Sequence, residues 1–340
     1  MELTANRARL FTAYALGKYD VSMFRFGLDI FSLRSQGWSP FEHLDFAARW
    51  GVRVAHYSEI RLLGGLDPDH LRRVRAYADE RGIELELGML SICPSAGIFD
   101  ASKGSAEAQI ATMLPAARLL GSPFVRCVVG RLEDRRLPGG IEARIADTVR
   151  VLKRVKSQVV DAGLTLAIEN HAGDMQGREL KTLVEEAGSD FVGVCIDAGN
   201  PVWAIEDPHL TLEILAPYVL TSHVRDSRIW RVPEGTAVAW TRMGEGNVDI
   251  ARYIRTYIAR CPGRALSLEI IVIPEPRIHA HRQPGFWDAY RNTPAWEFDR
   301  FEALADAGSP YVVPPAADPI AREREDVEAS LAWTGRILHP

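Results

Sequence analysis

Four ionisable residues recur between positions 169 and 269 of this 340-residue sequence, each at the end of a short apolar run. They are Glu169, Asp197, His223 and Glu269, and about one strand and one helix separate each from the next, with a longer stretch before the last. Three carboxylates and one imidazole form a hard, anionic ligand set, which suits Mn²⁺, Mg²⁺ or Co²⁺ better than a structural zinc site built on thiolates. The residue types therefore predict a site for one divalent metal ion.

A single carboxylate at a strand end has an ordinary explanation, since it can cap the next helix or pair with an arginine. Four such residues at equivalent places are different, because packed strands rarely end in Glu or His unless something compensates the buried charge. The set as a whole therefore favours a functional site.

The apolar runs that precede these residues belong to a series of eight. The runs span residues 25–32, 52–58, 83–90, 123–129, 164–170, 191–197, 219–225 and 265–271. Helical patterns lie between them, and Ser39-Pro40 and Asp67-Pro68 have the form of an N-cap followed by Pro at the first helical position. Strands apolar on both faces that alternate with helices are typical of a parallel sheet, and eight such units predict an α/β protein with a (β/α)8 TIM barrel.

In such a barrel the active site lies where the strands end and the βα loops begin. Residues at the ends of four successive strands are therefore expected to meet at one face. The alternative is an open doubly wound sheet, which is disfavoured because no GxGxxG follows the first run.

Two segments are predicted: residues 1–275 form the barrel domain, with strands from about residue 25, and residues 276–340 form a C-terminal helical and aromatic extension. The extension includes the last barrel helix, which we place in the aromatic segment 286–301 with Pro294 near its first turn. We expect the remainder to wrap around the barrel or a neighbouring subunit.

Exposed aromatic residues in this extension, Trp287, Trp296 and Phe298, need cover, which a homo-oligomer would supply.

Composition excludes several classes of protein. Lysine and arginine number 40 against 45 aspartate and glutamate, a formal net charge of −5, and a net acidic chain is not expected to bind nucleic acid. No apolar stretch reaches the roughly 18 residues of a membrane span, and the first 20 residues lack the apolar core of a signal peptide. Four cysteines without CxxC spacing predict neither a disulfide framework nor a zinc knuckle. We therefore expect a cytoplasmic protein without membrane or nucleic-acid partners.

The strand-end motifs AIEN, CIDAGN, SHVRD and SLEI resemble those of the sugar phosphate isomerase/epimerase branch of the xylose-isomerase-like TIM-barrel superfamily, over about residues 25–275. That branch includes ketose 3-epimerases, hydroxypyruvate isomerases, inosose dehydratases and oxo-sugar-acid decarboxylases. The resemblance implies that Glu169, Asp197, His223 and Glu269 bind one divalent metal. It also implies that the two glutamates flank the substrate and move its proton, as in the epimerases.

One position departs from the epimerase pattern. The epimerases usually have a second His three residues after the metal-binding Asp, where this sequence has Asn200. An asparagine can hydrogen-bond a substrate hydroxyl but cannot act as a cation or as an acid–base group.

Four further residues are candidates for substrate binding, and each has a structural alternative. His171 either orients a substrate oxygen or acts as an acid, or it caps the next helix. His56 and Arg126 either face the pocket or are paired buried residues, since the strand period does not fix which face is inward.

Cys195 is expected to be a buried structural thiol.

Arg225 is the fourth candidate and opens an arginine-rich stretch with interleaved tryptophans, residues 224–247. A guanidinium binds two oxygens of a carboxylate or phosphate at once, so the stretch resembles a lid over an anionic substrate. The alternative is a solvated charged loop.

The predicted function is a divalent-metal-dependent isomerase or epimerase of a small keto-sugar or sugar acid, which works through a metal-stabilised enediolate. A first alternative is a decarboxylase of a 3-oxo sugar acid such as 3-oxo-isoapionate, because loss of CO2 produces the same enediolate. A second is a non-catalytic metal-binding scaffold. A DNA-repair endonuclease of this fold is disfavoured, because it needs more histidines and a basic groove.

Overall fold

The structure, a computed structural model, describes residues 25–338. Its strands are β1 (Phe26–Asp29), β2 (Val54–Tyr57), β3 (Glu84–Ser91), β4 (Phe124–Val128), β5 (Thr165–Glu169), β6 (Val192–Asp197), β7 (Val219–His223), β8 (Asp226–Val232), β9 (Gly235–Thr241), β10 (Leu266–Leu268) and β11 (Arg277–His279). Eight of them form a parallel sheet in the order β10-β1-β2-β3-β4-β5-β6-β7. The predicted (β/α)8 barrel is confirmed, and each predicted run overlaps one barrel strand.

Helices connect the barrel strands and continue into the extension. They are α1 (Pro40–Arg49), α2 (Ile60–Leu63), α3 (Pro68–Asp79), α4 (Ala106–Leu120), α5 (Gly140–Asp161), α6 (Gly177–Ala187), α7 (Pro208–Leu215), α8 (Ile250–Arg260), α9 (Ala295–Asp306) and α10 (Pro319–Leu338). The predicted N-caps are present, since the side chains of Ser39 and Asp67 accept hydrogen bonds from backbone amides of the first turns of α1 and α3.

The barrel closes between β7 and β10 through a short contact just beyond β7. Val224 donates its amide to Ser267 O at 2.8 Å and accepts the amide of Glu269 at 3.0 Å. This closure places Glu269 beside the end of β7, although the two are far apart in sequence.

The arginine-rich stretch folds as a largely buried β-hairpin, not as a solvated loop, and its role as a lid over an anionic substrate stays a prediction. Strands β8 and β9 pair antiparallel along their whole length, and β11 adds a third strand to β9. Most of its side chains are buried, and Arg231 and Arg242 bond acidic residues of α9 and α10 rather than reaching the strand ends of the barrel. The sequence did not show this small sheet, because its third strand lies in the extension.

The aromatic segment packs on the small sheet, so placing the last barrel helix there was wrong. Phe301 of α9 forms an apolar cluster with Ile229, Val238, Phe286 and Tyr290. The helix starts after Pro294 as predicted, but its apolar residues pack on the face of the hairpin that carries Ile229 and Val238. The periodicity of a helix does not reveal which surface it covers.

Helix α10 packs on the barrel instead. Its Val327 and Leu331 are buried in the main core between the barrel strands and the helices. Its Glu323 accepts the amide of Ser35, which follows β1, at 2.9 Å, and Ser330 Oγ accepts the amide of Met243 at 3.2 Å. The division at residue 275 stays a prediction.

Trp287 and Phe298 are partly buried against each other, with ring centroids 4.8 Å apart. Trp296 remains 58% exposed, and the homo-oligomer stays a prediction. All four cysteines are buried and unpaired. Within residues 25–338, no helix combines the length and apolar character needed to cross a membrane. The expectation about the first 20 residues lies outside the described part of the chain.

A histidine of α1 lies in the core without a polar contact. His43 is fully buried between Trp38 and Tyr57, and neither ring nitrogen has a hydrogen-bond partner among residues 25–338. Burial lowers its pKa to about 4 because the apolar surroundings disfavour the imidazolium form.

This histidine is expected to make the fold sensitive to acid. The unfolded chain takes up a proton near pH 6.5 whereas the folded chain does so only near pH 4, so stability present above pH 6.5 is lost as the pH falls between these values. Relative to His43→Leu, the wild type should lose about 2 kcal/mol of unfolding free energy between pH 7 and pH 5. Urea unfolding of both proteins at both pH values measures this, and an identical pH dependence would contradict it.

Candidate metal centre and active site

The four residues predicted from the sequence meet at one point of the barrel. Glu169, Asp197 and His223 end β5, β6 and β7, and Glu269 directly follows β10. Each offers a ligand atom within 4.8 Å of those of the other three, and all four are buried. We call Glu169, Asp197, His223 and Glu269 the cage.

Neighbouring strand ends are fixed to each other by the residue that follows Glu169. The Asn170 side chain donates to Asp197 O at 2.9 Å and accepts the Asp197 amide at 2.8 Å. Asp197 Oδ1 accepts the amides of Gly199 and Asn200, both at 2.6 Å. One carboxylate oxygen is therefore used by backbone, and Oδ2 is the oxygen left to bind another group.

His223 presents one nitrogen to the carboxylates and the other to the barrel interior. Its Nδ1 lies 3.0 Å from Glu169 Oε2 and 3.3 Å from Glu269 Oε2. Its Nε2 lies 3.1 Å from His56 Nδ1 and 3.4 Å from Asp29 Oδ2. The ring is thus oriented from behind, as the ligand histidines of metal sites usually are.

These donors fit a divalent ion. The cage offers carboxylate oxygens and one imidazole nitrogen, the hard to intermediate ligands that Mn²⁺, Mg²⁺ and Co²⁺ accept. Cys195 Sγ also lies near, 3.8 Å from Glu169 Oε2, but burial raises the pKa of this thiol to about 12. A neutral thiol is a poor ligand, so the cage is the better donor set, and Cys195 is buried as expected.

Arg126 pairs with one of the two glutamates. Its Nε and Nη2 both lie 2.6 Å from Glu169 Oε2, and its Nη1 donates to Met89 O at 3.3 Å. Burial alone would raise the pKa of Glu169, but the charges of Arg126 and His223 hold it well below its usual range. Arg126 is thus a partner of a cage residue, the alternative given from the sequence.

Arg225 pairs with the other two carboxylates. Its Nη2 donates to Asp197 Oδ2 at 2.5 Å and also contacts Glu269 Oε2. The side chain is only 2% exposed, and its Nε and Nη1 have no hydrogen-bond partner within the described part of the chain. Burial raises the pKa of Asp197 to about 6, an effect that the charge of Arg225 opposes.

Asn200 and His171 lie on the Glu169 side of the cage. The Asn200 amide donates to Glu169 Oε1 at 3.3 Å, and its Oδ1 is buried with no hydrogen-bond donor from residues 25–338. His171 Nδ1 bonds Gly130 O at 2.8 Å and must be the donor, because a carbonyl oxygen only accepts. Burial lowers the pKa of His171 to about 4, so near neutral pH the ring is uncharged and its Nε2 is an acceptor.

The barrel interior behind the cage contains charged residues that the sequence reasoning missed. Asp29 ends β1 and accepts the hydroxyl of Ser58 at 2.9 Å, and Glu86 lies 3.4 Å from His56 Nδ1. Burial raises the pKa of Glu86 to about 7. Asp29 could have been found, since it ends an apolar run as Asp197 does. Glu86 lies inside an alternating strand and carried no such signal.

His56 faces this interior and contacts the cage through His223. Burial is the main cause that lowers the pKa of His56 well below its usual value. It is therefore a neutral group behind the cage, and substrate contact by His56 stays a prediction.

Trp203, which the sequence reasoning also missed, stacks on Trp240 of the small sheet. The ring centroids are 4.1 Å apart and the planes differ by 5°, and Trp240 Nε1 donates to Gly199 O at 2.9 Å. The Arg225 guanidinium lies 4.2 Å from the Trp240 ring. The small sheet thus reaches the cage through one indole and one guanidinium.

Two surface cavities of the described chain lie away from the cage. One, of about 650 Å³, is lined by residues that include Arg135, Gly140 and Arg291, and the other, of about 240 Å³, by residues that include Phe191 and Tyr218. Neither cavity is lined by a cage residue.

The fold and the cage define a (β/α)8 protein with a candidate metal site at the carboxyl ends of its strands. The chain belongs to the xylose isomerase-like TIM barrel family, whose model matches residues 44–283. The family predicted from the strand-end motifs is therefore confirmed.

Two curated proteins are similar in sequence. The 3-oxo-isoapionate decarboxylase of Pectobacterium atrosepticum is 26% identical over 183 residues, 54% of this chain and 59% of that protein. The uncharacterized protein YihM of Escherichia coli is 26% identical over 164 residues, 46% of this chain and 45% of that protein. The chain thus spans less than two thirds of the length of either relative.

Solved structures share the fold. A D-psicose 3-epimerase determined in the presence of D-fructose aligns with a TM-score of 0.60 at 15% identity, over 93% of this chain and 100% of that one. At this identity the likeness shows the architecture alone.

The cage is expected to bind one divalent ion per chain. Asp197→Asn removes a charged ligand and should weaken Mn²⁺ binding by more than the roughly 10–100-fold that loss of an outer-shell contact costs. Titration calorimetry of both proteins measures this. Glu206→Gln is the matched control, a buried carboxyl outside the cage whose pKa burial raises to about 7, and it should bind Mn²⁺ like the wild type. Equal affinity of wild type and Asp197→Asn would contradict the assignment.

Proposed function

We propose that this protein is a divalent-metal-dependent lyase that removes CO2 from a 3-oxo sugar acid. The observation that carries the proposal is that Arg126 holds the Glu169 carboxylate through two nitrogens, while Arg225, beside Glu269, has two buried donors without a partner among the described residues. A paired carboxylate is a weaker base. Epimerisation requires a base to remove a proton from carbon, whereas decarboxylation requires none.

The bond changes of this reaction set the tasks of the site. The bond between C1 and C2 breaks, its electron pair passes through C2 to the 3-oxo oxygen, CO2 leaves, and C2 then takes up a proton. A divalent ion held by the cage would supply Lewis-acid stabilisation of the negative charge on that oxygen. The side chains must orient the acid and return one proton.

Arg225 is the group assigned to the substrate carboxylate. Its Nε and Nη1 are buried donors that no described residue accepts from, and a buried donor of this kind favours an anionic acceptor. A carboxylate on Arg225 would fix the direction of the bond that breaks relative to the cage.

Glu269 is the residue to which we assign return of the proton. Arg225 contacts it through a single nitrogen, whereas Arg126 holds Glu169 Oε2 through two. Glu169 is therefore the more firmly ionised carboxylate and acts as a ligand only. Asn200 Oδ1 and His171 Nε2 are acceptors on the Glu169 side, suited to the hydroxyl groups of a sugar acid.

The sequence similarity to a 3-oxo-isoapionate decarboxylase supports this chemistry and suggests a substrate of the same class. Isomerisation or epimerisation is the second candidate, favoured by the position of two glutamates in one cage. A metal-binding scaffold without activity is the third outcome that an assay has to exclude.

The assay uses Mn²⁺-loaded protein and a panel of ketoses and 3-oxo sugar acids, 3-oxo-isoapionate included, in deuterated water. We expect CO2 release from an acid with one deuterium incorporated at the carbon that lost it, and loss of activity after chelation that Mn²⁺, Co²⁺ or Mg²⁺ restores. Deuterium exchange in a ketose without CO2 would instead establish an isomerase. No turnover by protein with bound metal would support the scaffold.

We expect substitution of the two cage glutamates to affect turnover differently. Glu269→Gln should lower turnover by the roughly 10²–10⁴-fold typical of a lost proton-transfer group. Glu169→Gln, once saturated with Mn²⁺, should stay within about tenfold of wild type, below that range. Metal occupancy is measured in both variants, because a ligand change can empty the site and imitate a catalytic defect. Equal large losses in fully loaded variants would favour two-base epimerase chemistry.

A further inference from the structure

Four flat groups form a continuous stack beside the cage. The two indoles of Trp203 and Trp240 lie 4.1 Å apart and nearly parallel, so each has only its outer face free. The Arg225 guanidinium lies 4.2 Å from the Trp240 ring, and the Arg277 guanidinium lies 4.2 Å from the Trp203 ring. The order is therefore Arg225, Trp240, Trp203, Arg277, a cation on each outer face.

The two ends of the stack lie in different surroundings. Arg277 is about one-third exposed and lies 3.4 Å from Glu133. Arg225 is almost fully buried, and its Nη2 contacts Asp197 and Glu269. Both ends are held on indoles in the same way, but only one contacts the cage.

The contact of Arg225 with Asp197 uses an oxygen that a metal ion also needs. Asp197 Oδ1 already accepts two backbone amides, and Oδ2 lies 2.5 Å from Arg225 Nη2. A guanidinium and a divalent ion are both cations that approach the outer lone pairs of a carboxylate, and two cations at one oxygen repel each other.

We propose that Arg225 and the divalent metal compete for Asp197 and Glu269, so that metal binding turns Arg225 from the cage carboxylates toward the substrate anion. The inference rests on the metal site of the proposed function. It adds an order of binding, in which the metal ion binds first and the acid substrate second. The stack on Trp240 keeps the released guanidinium at the cage, and Trp240 is thus a positioning residue.

A purely structural ion pair makes the opposite prediction. If Arg225 served to hold the carboxylates in place for the metal, its loss would weaken metal binding. The carboxylate of Asp197 has other supports, since the amides of Gly199 and Asn200 fix one oxygen. Removal of Arg225 should therefore leave the ligand in position and free its second oxygen.

The test is Mn²⁺ affinity, measured by calorimetry on the full-length wild type, Arg225→Met and Arg277→Met. Arg225→Met should bind Mn²⁺ at least about tenfold more tightly, because a charge-assisted contact no longer has to be broken. Arg277→Met is the matched control, since it removes the other cation of the same stack without touching the cage, and its affinity should stay within about twofold of wild type.

A second readout follows the stack itself. Addition of Mg²⁺ should change the tryptophan fluorescence of the wild type, and this change should be lost in Arg225→Met and in Trp240→Phe. If Arg225→Met does not fold, as judged by circular dichroism, Arg225→Gln replaces it in both measurements.

The outcomes separate this inference from the proposed function. Mn²⁺ binding that is unchanged or weaker in a folded Arg225 variant would overturn the competition and leave the metal site intact. An equal gain in Mn²⁺ affinity in the Arg277 variant would also overturn the competition, because the change in net charge alone would then explain the tighter binding. A wild type that binds no Mn²⁺ would remove the metal site and the competition together.

Discussion

The carboxylates of Glu169, Asp197 and Glu269 lie out of water with ligand atoms within 4.8 Å of one another, and anions in such surroundings are strongly destabilising unless positive charge accompanies them. Much of the site can be understood as that compensation. Arg126 and Arg225 supply two guanidinium groups, and backbone amides solvate one oxygen of Asp197. A divalent ion held by the same oxygens would be a further source of positive charge.

The need for positive charge beside the cage carboxylates also links the segments outside the barrel to the candidate site. Arg225 stands between β7 and the small sheet, and Trp240 of that sheet packs on its guanidinium. Helix α9 and the aromatic residues before it pack on Ile229 and Val238 of the sheet, in a cluster that Trp203 also joins. The C-terminal extension therefore supports the layer that carries the cation, although the extension contributes no residue to the cage.

Pairing also limits what the glutamates can do. A carboxylate held by an arginine is stabilised in its ionised form, which suits a metal ligand better than a base that must accept a proton from carbon. In the proposed reaction, a metal ion and the orientation of an acid substrate would therefore contribute more than proton abstraction. Loss of CO2 is favoured over isomerisation on this ground, although both reactions pass through an enolate-type intermediate.

The sequence by itself determined the eight strands, the helices between them, the family and the four cage residues. These features depend on local patterns, because each βα unit has its apolar run and its helix caps within about 30 residues. The last residue of every strand also lies at the same end of the barrel. That the cage binds a metal, and that the other candidates bind substrate, stay predictions.

Only the tertiary structure decided which charges face each other. The sequence left Arg126 and His56 open between pocket and interior, gave no sign of Glu86, and placed the last barrel helix in the wrong segment. Strand periodicity separates the two faces of a strand but does not show which face is inside the barrel. The pairing of β9 with β11 and the contact of Arg225 with Glu269 both join residues far apart in the chain. Such contacts depend on how distant segments meet in the folded chain, which no local pattern encodes.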